Sequence, residues 1–300
     1  MFKVLFIAGP TAVGKTAYAV RLANDLNGEI VSADSMQIYR YMDIGSAKPS
    51  PEELAAAKHY LIDEIDPRTP FNVSEYKKLA TEYISSIHES GKLPIVCGGT
   101  GLYINSLLYD MDFSAPEGDE KYRENIMRRF GGDGGRLFEY LKSLDPDAAK
   151  EEDRNNIKRT VRYIERLEKG EGRIAGFSEM KTKNPLFDPI FIGLFMNRER
   201  LYERINLRVE ELFKAGLIDE VNSLMEMGFT ADDIAMKGIG YKELMSGLPP
   251  DEAKELIKLN TRHFAKRQII WLRRYGDDLR AFDLDKDSYG DILNWVRTQL

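Results

Sequence analysis

Cysteine is nearly absent from this chain: Cys97 is the single one among 300 residues. One thiol excludes an intrachain disulfide and any multi-cysteine zinc or iron–sulfur site. It closes the short apolar run Pro94-Ile95-Val96-Cys97, so it reads as a small buried thiol. No apolar stretch approaches the ~20 residues that a bilayer-spanning helix needs, and no membrane partner is expected. The first apolar run is short and passes directly into a glycine-rich turn, so a secretory leader is not expected either. Internal repeats and low-complexity tails are missing. With 43% hydrophobic and 31% charged residues, the composition is that of an ordinary globular protein. A cytoplasmic, monomeric enzyme is the expectation.

The charge balance is acidic, net −6 with a pI near 5.4, which argues at first against a nucleic-acid partner. Its distribution argues the other way. Residues 261–274 carry five cations (Arg262, Lys266, Arg267, Arg273, Arg274) and no acid. Residues 158–166 carry Lys158, Arg159, Arg162 and Arg166 against the single Glu165. Acids gather elsewhere, at Glu117, Asp119 and Glu120 and again at Asp283, Asp285, Asp287 and Asp291. Two basic stripes on an acidic protein suffice to hold a polyanion.

The richest signal is at the start. Val4-Leu5-Phe6-Ile7-Ala8 reads as a buried strand, and residues 17–26 as an amphipathic helix. Between them lies Gly9-Pro10-Thr11-Ala12-Val13-Gly14-Lys15-Thr16, a G-x-x-x-x-G-K-T phosphate-binding loop in its required strand–loop–helix setting. Glycines let successive N–H groups turn inward, the helix N-terminus adds partial positive charge, and Lys15 adds a full one. Thr16 offers a hydroxyl to a Mg²⁺ ion shared with the phosphates.

Further strand-like runs occur at residues 29–33, 60–65, 94–97 and 190–196, with helical segments between the first four. Residues 73–90 form the clearest helix, with Asn72 as N-cap, Glu75 completing a capping box and Gly91 just beyond. This alternation predicts an α/β fold, a phosphate-loop NTPase-like, mostly parallel sheet with helices on both faces. From residue 112 to 188 the strand signal vanishes, which predicts a helical insertion within a core of residues 1–111 and 189–300. Helices are expected at 197–215, at 217–227 and from Pro249-Pro250 to about Arg274. On the last, Arg262, Lys266 and Arg273 share one face.

A phosphate loop alone leaves kinase, NTPase and group transferase open. ATP-hydrolysing proteins usually end a second apolar strand in an Asp that helps hold Mg²⁺, whereas residues 94–97 run into Gly98-Gly99-Thr100-Gly101. Asp63 or Asp66 could substitute. Asp34 ends the strand next in sequence to the loop, either as a cap of the next helix or as a functional acid beside the phosphate pocket.

Five motifs in order, residues 9–16, Asp34-Ser35-Met36-Gln37, Gly98-Gly99-Thr100-Gly101-Leu102-Tyr103, Ile239-Gly240-Tyr241-Lys242-Glu243 and Lys266-Arg267-Gln268-Ile269-Ile270-Trp271-Leu272-Arg273, resemble the tRNA dimethylallyltransferase (tRNA isopentenyltransferase) family over nearly the whole chain. The resemblance implies transfer of a five-carbon allylic group from dimethylallyl diphosphate to the exocyclic amine of the adenosine 3′ of a tRNA anticodon. It implies that residues 9–16 bind the diphosphate with Mg²⁺, that Arg208 also contacts it, that Asp34 is the general base and that Thr100 touches the target nucleotide. For the tRNA anticodon stem-loop it implies contacts from Asp34, Ser35, Met36, Gln37, Thr100 and Arg123. It adds Lys158, Arg159, Thr160, Val161 and Arg162, then Lys237, Gly238, Ile239, Gly240, Tyr241 and Lys242, and last Lys266, Arg267, Gln268, Ile269, Ile270, Trp271, Leu272 and Arg273. Both basic stripes overlap this set.

The chain departs from the family where Asp153-Arg154-Asn155-Asn156 replaces a His-Pro-Asn-Asp-like segment. Eukaryotic relatives with a zinc-finger extension need cysteines and length that this sequence does not have, so a bacterial-type enzyme is implied. The competing readings are an isopentenyltransferase acting on free adenine nucleotides and a phosphate-loop nucleotide kinase.

Overall fold

A computed structural model describes residues 1–111, 119–149, 154–171 and 182–300. It divides into two compact units, Met1–Asp110 with Lys183–Leu300, and Met111–Thr182.

The first unit is built on six strands: β1 (Phe2–Ala8), β2 (Gly28–Ala33), β3 (His59–Tyr60), β4 (Leu93–Gly98), β5 (Phe187–Phe195) and β6 (Arg280–Asp283). Their order is β3-β2-β4-β1-β5-β6, and every pairing is parallel. Val4, Leu5, Phe6, Ile7 and Ala8 are all buried, so side chains on both faces of β1 are covered. Leu5 and Ile7 pack with Ile95, Ile192 and Leu194 in the main core. Phe6, on the other face, meets Phe191 edge-on. This alternation, apolar on both faces, is the mark of a sheet enclosed by helices.

Helices in this unit include α1 (Lys15–Asp25), α2 (Pro51–Ala56), α3 (Val73–Glu89) and α4 (Gly101–Leu108). The α3 start is the capping box read from sequence: the Asn72 side chain accepts from the Ser74 and Glu75 N–H groups, and the Glu75 carboxylate accepts the Asn72 N–H. The second unit contains α5 (Glu120–Arg129), α6 (Gly134–Leu144) and α7 (Ile157–Glu168), packed around Ile126, Leu137, Leu141, Val161 and Ile164. The first unit resumes with β5 and then α8 (Arg198–Lys214), α9 (Leu217–Glu226), α10 (Tyr241–Met245), α11 (Pro250–Leu272) and α12 (Tyr289–Gln299).

Two boundaries differ from expectation. The core resumes before residue 189, because Phe187 and Asp188 already pair with Phe2 and Lys3 of β1. Pro189 hides this beginning. It is tolerated there because β6 joins β5 only from Ile192 onward, leaving that part of β5 an edge. The run at 60–65 is strand only as far as Tyr60, since Leu61 and Asp63 adopt left-handed conformations (φ 60° and 59°) that break the extended chain.

Candidate active site

The sheet brings three loops together at the carboxyl ends of β1, β2 and β4, the position where parallel α/β sheets bind ligands. Gly14, the cap before α1, has φ 106°, which a residue with a Cβ adopts only under strain. That turn aims the α1 N-terminus at the cleft. Lys15 Nζ donates to the Pro10 carbonyl at 2.9 Å. Burial pulls the Lys15 ammonium down to about 8, partly countered by the nearby Asp34 carboxylate. An anion placed here would be met by a helix dipole, inward N–H groups and a cation poorly supplied with water.

Two side chains from distant helices brace the loop. Gln268, buried on α11, accepts the Thr11 N–H at 2.8 Å and donates to the Gly99 carbonyl at 3.0 Å. Arg204 on α8 donates to the Ala12 carbonyl at 2.9 Å. The cleft, about 350 Å³, is bounded by Thr11, Lys15, Thr16, Asp34, Arg208 and Cys97 among others. Cys97 is the buried thiol expected, its pKa pushed up to about 12 by burial.

Asp34 follows β2. Its Oδ1 accepts the N–H groups of Met36 (2.9 Å) and Gln37 (3.4 Å), which fixes the carboxylate in a turn; no helix follows directly. Oδ2 has no hydrogen-bond partner among the described residues and remains available to a ligand. Thr100, after β4, accepts the Ser35 N–H at 3.0 Å and approaches the Ser35 hydroxyl at 3.3 Å, so the two strand ends are tied together. Arg208, one helical turn beyond Arg204, donates to the Ala47 carbonyl at 3.3 Å. Burial lowers its pKa while the Asp34 charge opposes that shift. Gln37 Nε2 donates to the same Ala47 carbonyl at 3.0 Å. The cleft therefore pairs an anion cradle with a carboxylate having one open oxygen.

Among the described residues no group of three or more His, Cys, Asp or Glu could hold a metal. Thr16 borders the cleft, so a hard divalent cation would rely on its hydroxyl and on oxygens brought by the ligand. No described helix is long and apolar enough to cross a membrane.

The residues expected to meet RNA fall into distinct settings. On α11, Lys266, Arg267 and Ile270 are exposed, and Ile269 and Trp271 half-buried. Gln268 and Leu272 point into the protein. The helix ends at Leu272, one residue short of exposed Arg273, and Arg262 turns onto Asn206 Oδ1 at 2.6 Å. At the 237–242 segment Lys237 and Lys242 are exposed, Gly238 and Ile239 half-buried, and Gly240 and Tyr241 buried. In the second unit Lys158 and Arg162 are exposed. Thr160 and Val161 are in its interior, so these two side chains serve packing. Arg159 donates to Tyr163 Oη at 3.4 Å, and Arg123 pairs with buried Glu165 at 2.6 Å. Sequence reasoning missed Arg204 and the loop-bracing role of Gln268; the i, i+4 spacing of Arg204 and Arg208 was a usable signal for the first.

The IPP transferase family model matches residues 37–275. The tRNA dimethylallyltransferase of Acetivibrio thermocellus is 49% identical over 308 residues, covering 99% of this chain and 98% of that protein. That of Clostridioides difficile is 46% identical, covering 97% and 94%. Among solved structures, the tRNA delta(2)-isopentenylpyrophosphate transferase of Staphylococcus epidermidis is 38% identical and covers 99% of this chain and 98% of its own, with a TM-score of 0.72. A eukaryotic dimethylallyltransferase acting on tRNA is 27% identical, covering 94% and 74%, with a TM-score of 0.77. Sequence likeness over nearly the full length and a shared α/β sheet agree, and the chain belongs to the IPP transferase family of tRNA dimethylallyltransferases.

Proposed function

We propose that this protein transfers the dimethylallyl group of dimethylallyl diphosphate to the exocyclic amine of the adenosine 3′-adjacent to the anticodon of tRNA, releasing diphosphate. The observation that carries this reading is the juxtaposition, in one cleft, of the phosphate loop and a carboxylate whose Oδ2 accepts no hydrogen bond from the described residues.

In the reaction the allylic carbon–oxygen bond breaks and a carbon–nitrogen bond forms at the same carbon. Diphosphate leaves with an added negative charge. The N–H groups of residues 9–16, the Lys15 ammonium and the Arg208 guanidinium stabilise that charge as it develops, which is where binding accelerates a reaction. The Thr16 hydroxyl, with oxygens of the diphosphate, would hold a Mg²⁺ ion, which would supply further positive charge. The adenine amine is a weak nucleophile because its lone pair is delocalised into the ring. Asp34 Oδ2 takes its proton as the bond forms. The base reaches the cleft by leaving the anticodon stack, with Thr100 at its edge. Exposed Lys237, Lys242, Lys266, Arg267 and Arg273, together with Lys158 and Arg162 of the second unit, contact phosphates and position the RNA.

Labelled dimethylallyl diphosphate supplied with unmodified tRNA and AMP side by side tests the reading. Label is expected in tRNA. Label in AMP alone would identify a free-nucleotide prenyltransferase and overturn it.

A further inference from the structure

Ser46, Ala47, Lys48 and Pro49 form a second wall of the cleft. The stretch from residue 43 to 49 has no helix or strand, and Ala47 sits in the left-handed region at φ 49°. Its shape comes from elsewhere. Glu220, in the first turn of α9, places Oε2 against the N–H groups of Asp43 (2.8 Å) and Ile44 (2.7 Å). Oε1 accepts the Gly45 N–H at 2.9 Å and the Tyr241 hydroxyl at 2.7 Å. The Tyr241 oxygen in turn accepts the Ser46 N–H at 3.1 Å. Four consecutive backbone donors thus end on one carboxylate–phenol pair. The Tyr241 ring also covers Gly45 so closely that a Cβ there would lie 2.5 Å from it.

Neither Glu220 nor Tyr241 borders the cleft. No described cation forms an ion pair with Glu220, so its charge is met by these N–H and O–H donors. The anchored turn delivers one group that does matter at the cleft: the Ala47 carbonyl, which accepts from both Arg208 and Gln37. A carbonyl holding a buried guanidinium sets where that cation points. If residues 43–46 shift, Ala47 shifts with them and Arg208 loses its partner.

We propose that Glu220, supported by Tyr241, is a positioning residue for the transfer reaction, acting through Ala47 on Arg208. The proposal rests on the reading that the cleft takes the prenyl diphosphate, and it adds residues to which no substrate contact is attributed by geometry. A Gln at 220 keeps a single acceptor oxygen and turns an amide NH₂ towards backbone donors, so about two of the four donors lose their partner. A Phe at 241 keeps the ring on Gly45 and removes two of the hydrogen bonds.

The test uses the full chain and its Glu220→Gln and Tyr241→Phe variants, each also on an Arg208→Ala background. Inorganic pyrophosphate affinity is read by calorimetry, and KM and kcat by prenyl transfer to tRNA. Glu220→Gln is expected to weaken pyrophosphate binding and raise KM for dimethylallyl diphosphate by roughly tenfold, and Tyr241→Phe by roughly threefold. The dissociation constant of tRNA for Glu220→Gln should stay within about twofold. On the Arg208→Ala background the Glu220→Gln penalty should shrink below about twofold, because the element it positions is gone. Unchanged pyrophosphate affinity, or full additivity with Arg208→Ala, would overturn the proposal. Should Glu220→Gln fail to fold, Tyr241→Phe decides the matter by the same two readouts. A wild-type protein that prenylates nothing, yet loses pyrophosphate affinity on Glu220→Gln, would refute the functional reading and support the anchor.

Discussion

The phosphate loop takes most of its form from its own neighbours in the chain, with Gln268 and Arg204 as distant braces, whereas the 43–48 wall takes its form from side chains such as Glu220, 177 residues further along. In the first, a strand, a left-handed glycine and a helix start are consecutive, so local backbone conformation aims the N–H groups inward. In the second, a left-handed alanine and four backbone donors are held by a carboxylate and a phenol that do not border the cleft. A locally encoded wall keeps its turn and helix start when an outside side chain is removed, and loses only a brace. A wall held from a distance can lose its geometry through a single remote change while the loop opposite stays intact in sequence and fold. On the proposed function, the two walls divide the work between anion capture and placement of Arg208.

Four substitutions probe that contrast, beginning with the largest effect. Asp34→Asn leaves both wall backbones in place and removes the proposed proton acceptor; kcat should fall by ~10²-fold or more with tRNA affinity within about twofold, as measured by single-turnover transfer and filter binding. Retained turnover would take the base role from Asp34. Gln268→Ala strips the phosphate loop of its long-range brace, leaving the Thr11 N–H and Gly99 carbonyl unpaired. KM for dimethylallyl diphosphate should rise roughly tenfold. A negligible change would show that the loop holds its shape on local backbone alone, which sharpens the contrast. Lys266→Ala should weaken tRNA binding and lower the slope of log affinity against log salt by about 1, leaving pyrophosphate binding unchanged. An unaltered slope would remove Lys266 from the RNA-facing set. Ala47→Gly is expected to be nearly neutral, within about 1 kcal/mol in urea unfolding, because relief of the left-handed conformation offsets the added chain entropy.

Legibility follows the same division. The β1–loop–α1 unit and the Asn72/Glu75 capping box are local, and the sequence specifies them almost to the residue. Asp34 and Thr100 are visible because strand ends in parallel sheets converge. Strand β6 escapes reading because Arg280 and Ala281 are exposed; it is a strand by virtue of lying against the free edge of β5. Helix α12 sits behind an acidic stretch, although Ser288 and Asp291 form a capping box that marks its start. Gln268 is legible as part of a motif, but its burial beneath the phosphate loop depends on where α11 crosses, and no local pattern encodes that. Glu220 is one acid among many in sequence. Only the fold reveals four donors converging on it and on Tyr241.

The most direct measurement is a product balance in a single reaction: prenylated adenosine in tRNA counted against inorganic diphosphate released, with and without ATP. One diphosphate per modified adenosine, unaffected by ATP, is the result expected of a cradle that captures a leaving group. ATP hydrolysis in the cleft with no prenyl transfer would contradict it.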